Sequence, residues 1–290
     1  MNEITKQKRA ELALYIEKEV LAETAVQGIV VIGSVAKGIA RPDSDIDAVV
    51  FLDPFDYYAV PAESKWQPAT HTFHSIFADV ADAIQLDFKR IDLAVWQQPD
   101  FVWPESLCAE LSEGWVAFDR NGRIQPLIAE RTQYNNHIRQ ARLDDAIVAL
   151  DWLLNESTTN QTWQLLGANV AHYRLHSASE YLVQALFAYN RQWRTFRSRE
   201  LADLLNLSWL PNQFEAQFLL ATNALSTDYE GYEQRVAVLN QFFKALVTQC
   251  QQDGLYGEDA VGEAFIREHN EPGYAWDMEE WSRKHNDRNR

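Results

Sequence analysis

The sequence predicts an α+β/α protein: a small mixed-sheet core over residues 1–105, then an α-helical bundle domain over residues 106–290 that ends in a tail. Three observations predict this division. The chain of 290 residues has room for two ordinary domains. Ahead of Pro104 it holds short β-branched apolar runs bounded by turn residues, the pattern of strands. Beyond Pro104 the apolar residues recur at helical period over long stretches with short polar breaks.

Each element has its own signal. Residues 3–25 set Leu12, Leu14, Tyr15 and Ile16 among charged residues, with Val20 and Leu21 a turn later, which predicts an amphipathic helix. Gly28 to Gly33 is a short apolar run stopped by Gly33-Ser34, a buried strand opening into a turn. A loop through Arg41-Pro42-Asp43-Ser44 leads to a second strand, Asp45 to Leu52, which alternates at its start and then becomes wholly apolar. Pro54 ends it, residues 54–70 read as irregular, residues 71–83 have helical spacing, and Ile84 to Trp96 returns to strand chemistry. The bundle comprises stretches near 124–155, 161–193, 210–225 and 230–252. In the last of these Val236, Leu239, Phe242, Phe243, Leu246 and Val247 form one stripe, read as core. The tail from Asp253, with Trp276 and Trp281 among charges, has no assigned structure.

Composition narrows the function. With 47% hydrophobic residues and 23% charged ones, the chain can bury a core and is not disordered. A net charge of −16 repels phosphodiester backbones, so duplex DNA is not an expected partner. Cys108 and Cys250 lack metal-ligand spacing and suggest neither a disulfide framework nor a zinc cluster, which fits a reducing, cytoplasmic setting. Neither a signal peptide nor an apolar run of membrane-spanning length is expected. Oligomeric state is not encoded in any pattern visible here.

The segment that carries chemistry is Gly33-Ser34, then ten residues, then Asp45-Ile46-Asp47. Gly33 lets the backbone approach a ligand closely, and the turn after it offers amides and the Ser34 hydroxyl as a cradle for phosphate. In a strand, Asp45 and Asp47 share a face, where two carboxylates roughly 4 Å apart repel by about 4 kcal/mol at an effective dielectric of 20. Such a pair calls for a cation, and hard oxygens beside a phosphate site select Mg²⁺. Metal-assisted phosphoryl or nucleotidyl transfer follows as the reaction class. The Gly33 to Gly38 stretch lacks the Gly-Lys-Ser/Thr ending of a P-loop, so an ordinary P-loop ATPase is excluded.

These residues resemble the signature of the polymerase-β-type nucleotidyltransferase superfamily, a Gly-Ser turn followed about ten residues later by an Asp-x-Asp pair. The resemblance covers roughly residues 25–95, and the helical half is similar to that of aminoglycoside adenylyltransferases and related bacterial enzymes. It implies that Asp45 and Asp47 bind the catalytic metal, that Gly33 and Ser34 hold nucleotide phosphates, and that a third carboxylate binds metal or takes a proton from the attacking hydroxyl. Two residues compete for this third position. Asp87 shares a polar strand face with Gln85 and Lys89, whereas Asp92 shares its face with Leu86, Phe88 and Ala94. Parity selects Asp87, and a bulge would select Asp92 instead.

The expected activity is therefore Mg²⁺-dependent transfer of a nucleoside monophosphate, AMP from ATP, to a hydroxyl of a small molecule, with an aminoglycoside-type antibiotic as the leading acceptor because an acidic cleft attracts a polycation. Rival expectations are a protein or RNA acceptor, or a non-catalytic nucleotidyltransferase-like antitoxin or binding module. His172, His176 and Glu180 stand at four-residue spacing on one helix, a pattern read as a polar stripe ahead of a zinc site because no glutamate lies between the histidines. Lys37 and Lys89 are candidate phosphate contacts, with solvated surface the commoner role for a lone lysine.

Overall fold

The computed structural model describes residues 1–223 and 226–270, so the tail tryptophans Trp276 and Trp281 lie outside the described residues. The chain divides into two compact units, Met1–Gln133 and Tyr134–Arg290.

The first unit opens with α1 (Glu3–Tyr15), which Asn2 caps by accepting from Thr5 N and which continues as a π-helical turn, Ile16–Val20. There follow β1 (Val26–Val31), the short α2 (Gly33–Ala36), β2 (Ile46–Leu52), β3 (Glu63–Gln67), β4 (Thr72–His74) and β5 (Ile84–Asp92). The unit closes with α3 (Leu93–Trp96), α4 (Glu105–Ser112), β6 (Trp115–Asp119) and α5 (Ile124–Arg131). The six strands form one mixed sheet in the order β4-β3-β5-β2-β1-β6. Only β2 and β5 pair in parallel, with Asp47 opposite Asp87.

Strand alternation assigns the two faces. Ile29 and Val31 of β1, Ile46, Ala48 and Val50 of β2, and Leu86 and Phe88 of β5 join one core cluster with Leu12 and Tyr15 of α1. The opposite face carries Gly28 and Val30: a Cβ on Gly28 would lie 2.5 Å from Ile124 Cγ1 of α5, and one on Gly114 would lie 2.8 Å from Val30 Cγ1. Covered on both sides, β1 is buried along its whole length, which is why it reads as a continuous apolar run.

Four expectations are corrected. The division falls after Gln133 and not near residue 105, because β6 pairs antiparallel with β1 and completes the sheet of the first unit. Residues 54–70 are not wholly irregular, since they contain β3. Residues 71–83 form no helix: β4 hairpins against β3, and the apolar positions that suggested helical period include Phe73 and Phe77, which are 41% and 91% exposed. The strand expected over 84–96 stops at Asp92, whose side chain accepts from Ala94 N and Val95 N and so caps α3.

The second unit is helical: α6 (Asn136–Leu154), α7 (Glu156–Gln161), a π-helical turn (Thr162–Leu166), α8 (Gly167–Tyr189), α9 (Arg197–Leu205), α10 (Phe214–Thr222), α11 (Tyr229–Gln252) and α12 (Ala260–His269). Its core joins Leu143, Ile147 and Leu150 of α6, Leu175, Leu182 and Leu186 of α8, and Leu239, Phe242 and Leu246 of α11. Val236 and Val247 pack against this core from partly exposed positions, so the α11 stripe is core as its periodicity predicts. Among the described residues, no helix is long and apolar enough to cross a membrane, and both cysteines are buried without a disulfide.

Candidate active site

Antiparallel pairing of β1 with β2 sets Val31 opposite Ala48, and Ile32 N then donates to Asp47 O at 2.9 Å. The chain turns at once. Gly33 has φ +64°, a left-handed conformation that side chains disfavour, and a Cβ there would lie 2.7 Å from Asp47 Oδ2. The glycine of the Gly-Ser pair is thus required twice, by its backbone angle and by the carboxylate resting against its Cα.

Asp45, just ahead of β2, and Asp47, within it, meet Asp87 of β5 because the parallel register carries Asp47 to Asp87. One carboxylate oxygen from each lies within 4.8 Å of the others, and all three side chains are half-buried. Among the described residues this is the one group of three or more His, Cys, Asp or Glu side chains that meets this geometry. Burial raises the Asp87 carboxyl above the ordinary range, and the charges of Glu63 and then Asp45 raise it further. A half-buried cluster of acidic oxygens with this mutual repulsion has the chemistry of a site for a hard divalent cation.

Glu63 is the neighbour that sequence reasoning missed. It stands opposite Asp87 across the β3·β5 pairing, so Glu63, Asp87 and Asp47 form a row across three adjacent strands. Recognising β3 in the alternation of Glu63 to Gln67, with Ser64 and Trp66 inward, would have exposed it.

Other candidates lie elsewhere or are otherwise engaged. Asp92 sits at the far end of β5, opposite Leu52, and caps α3. Ser34 starts the α2 turn beside Gly33. The Gly33 amide does not point outward as the cradle reading expects: it donates to Glu110 Oε2 at 3.2 Å. Lys37 Nζ lies 2.9 Å from Glu113 Oε2, and Lys89 is exposed. In the second unit, His172 meets Arg235, with Nδ1 3.0 Å from the guanidinium, while Glu180 pairs with Arg194 at 3.0 Å and Arg197 at 2.5 Å. Those partners make the His172, His176 and Glu180 row a polar stripe, and the three are not among the residues clustered for a metal.

Residues 14–102 match the family model of the nucleotidyltransferase domain, a span that includes Gly33, Ser34, Asp45, Asp47 and Asp87. The match stops short of the helical half. Among solved structures, the chain is similar to a nucleotidyltransferase-like protein from Exiguobacterium sibiricum 255-15 at 14% identity and a TM-score of 0.45, over 90% of this chain and 79% of that one. A likeness of that degree carries no argument about function. No curated protein matches the sequence.

Proposed function

We propose that this chain is a Mg²⁺-dependent nucleotidyltransferase that moves AMP from ATP to a hydroxyl of a small molecule. The observation that carries the reading is the convergence of Asp45, Asp47 and Asp87 beside the Gly33-Ser34 turn, inside the span that matches the nucleotidyltransferase domain.

The residues fit a divalent ion, for each offers a hard carboxylate oxygen. Asp45, Asp47 and Asp87 would hold it, and when bound it would supply charge neutralisation of the triphosphate and of the departing pyrophosphate. The protein's own part begins at Gly33, where the missing side chain keeps the wall beside Asp47 low enough for phosphate to approach. Ser34, the next residue, offers its hydroxyl to a phosphate oxygen. Asp87 is the proton acceptor for the attacking hydroxyl, placed beside Asp47 by the parallel register of β2 and β5. Glu63, in register beside it, adds a further negative charge to that edge of the site.

For the acceptor, the chain's charge of −16 favours a cation, and an aminoglycoside-type molecule offers both hydroxyls and positive charge. The buried, unbridged cysteines accord with a cytoplasmic setting. The test is pyrophosphate release from ATP and Mg²⁺ across a panel of aminoglycosides, neutral sugars and proteins. Release with a cationic acceptor, with a KM that rises severalfold from low to moderate salt, supports the full reading. Release with a protein or neutral acceptor would keep the chemistry and replace the acceptor. Absence of both nucleotide binding and pyrophosphate release would leave a non-catalytic module.

A further inference from the structure

Glu110 is a buried carboxylate, 3% exposed, on an otherwise apolar stretch of α4 that includes Leu107, Cys108 and Leu111. Burying a charge is costly unless it answers a specific group. One such group is the Gly33 amide, reached across 77 positions of sequence at 3.2 Å. Just past α4, its C-cap residue Glu113 pairs with Lys37 at 2.9 Å, and Lys37 is the C-cap of α2. Glu110 and Glu113 thus tether the two ends of the α2 turn. The same Gly33 whose amide is held from behind has its Cα against Asp47 Oδ2 in front.

Resting on the nucleotidyl-transfer reading above, we infer that α4 is a clamp for the site and that Glu110 is a positioning residue for the metal-binding carboxylate of Asp47. Glu110 fixes the Gly33 peptide, Gly33 sets how far the Asp47 carboxylate can swing, and Glu113 holds the other end of the turn. Glu110 acts through Gly33 and Asp47 and takes no proton. This assignment also removes the Gly33 amide from the donors offered to phosphate, leaving the Ser34 hydroxyl as the contact from the Gly-Ser pair.

The experiment compares Glu110→Met, Glu110→Gln and wild type as full-length chains. Methionine fills the space without an acceptor, whereas glutamine keeps a carbonyl oxygen for the Gly33 amide. Mn²⁺ affinity, read by electron paramagnetic resonance, should weaken about 10- to 100-fold in Glu110→Met, the range expected for a partner that orients a metal ligand, and recover to within about threefold in Glu110→Gln. In turnover, Glu110→Met should lower kcat and leave the acceptor KM unchanged. Hydrogen exchange at the Gly33 amide should be fast in Glu110→Met and slow in the other two. Wild-type Mn²⁺ affinity in a folded Glu110→Met overturns the proposal, provided Asp47→Asn loses it. If wild type itself takes up no Mn²⁺, the functional reading fails, and the clamp is then judged by exchange alone: equal protection of Gly33 in wild type and Glu110→Met overturns it. Should Glu110→Met not fold, Glu113→Gln decides through the second tether, at a side chain 60% exposed. It should speed amide exchange across residues 33–37, and unchanged exchange there overturns the clamp.

Discussion

Asp144 in the helical unit is 3% exposed and its charge is fully answered: Arg267 donates to both of its oxygens at 2.9 Å, Tyr256 to Oδ1 at 2.7 Å and Gln140 to Oδ1 at 3.0 Å. Glu180 is likewise clasped by Arg194 and Arg197. In the sheet unit, Asp45, Asp47 and Asp87 converge on one another, with Glu63 opposite Asp87. Asp144 and Glu180 are settled by cations of their own unit, whereas Asp45, Asp47 and Asp87 form a cluster whose mutual repulsion a cation from outside would relieve. The difference separates scaffold from site, because an internally satisfied pair stabilises the fold while a repelling cluster stores affinity for a ligand.

The sharpest way to break this contrast is to neutralise one member of each set. Asp47→Asn or Asp45→Asn should lower the proposed nucleotidyl transfer by at least about 10³-fold, since the ion they would hold would supply several kcal/mol of charge stabilisation. Without metal, the melting temperature should stay level or rise because repulsion is relieved. Near-wild-type turnover at saturating Mg²⁺ would mean that the cluster is not the site.

Asp87→Asn should cost about 10²-fold or more in turnover, the usual contribution of a general base. Asp92→Asn should cost little, because asparagine also caps a helix. A loss confined to Asp92→Asn would move the reacting centre to the other end of β5.

In the helical unit the sign reverses. Asp144→Ala should destabilise by about 2 kcal/mol in urea titration, a value below that for a fully buried pair because the guanidinium left behind can reach solvent. A stabilised Asp144→Ala would erase the distinction between the two sets.

The smallest effects are in pH dependence, and they too have opposite sign. Burial pulls the Glu180 carboxyl up, but hydrogen bonds and charge from Arg194 and Arg197 outweigh it and hold the group below the ordinary range. A carboxyl depressed by folding contributes stability that is present above its unfolded pKa and lost as pH falls through the folded value. Asp87 is raised by folding, so on acidification the folded state takes up this proton first and gains stability from it. Glu180→Gln should accordingly destabilise at pH 7 and lose its effect in acid. Asp87→Asn should stabilise the metal-free chain at pH 7, with the gain shrinking toward about pH 4, near the unfolded pKa. Urea midpoints across that range would show whether the two differences converge from opposite sides.

Much of the site was legible because its determinants are local. The Gly33-Ser34 turn follows from glycine at the end of an apolar run, and the Asp45-Ile46-Asp47 parity and the alternation of Gln85, Asp87 and Lys89 follow from a period of two along a strand. What escaped depends on long-range pairing. Thr72 to His74 is too short to show a period, and the exposed Phe73 and Phe77 imitate the apolar positions of a helix. Trp115 to Asp119 lies ahead of the first helical stretch and carries no assigned element until β1 offers it an edge. Glu110 looks like any polar residue on an apolar helix, because only the tertiary fold delivers the Gly33 amide to it.

The parallel pairing of β2 with β5 has a consequence for how the molecule forms. The segment between them must cross over, building β3 and β4 on the way, before Asp87 can reach Asp47. Asp87 meets Asp47 only once β5 has docked in register on β2, so the repulsion among the three aspartates falls on that docking. The proposed divalent ion would recognise only the assembled cluster and would therefore act chiefly on the lifetime of the native state: stopped-flow unfolding should slow with Mg²⁺ while the refolding rate stays nearly constant.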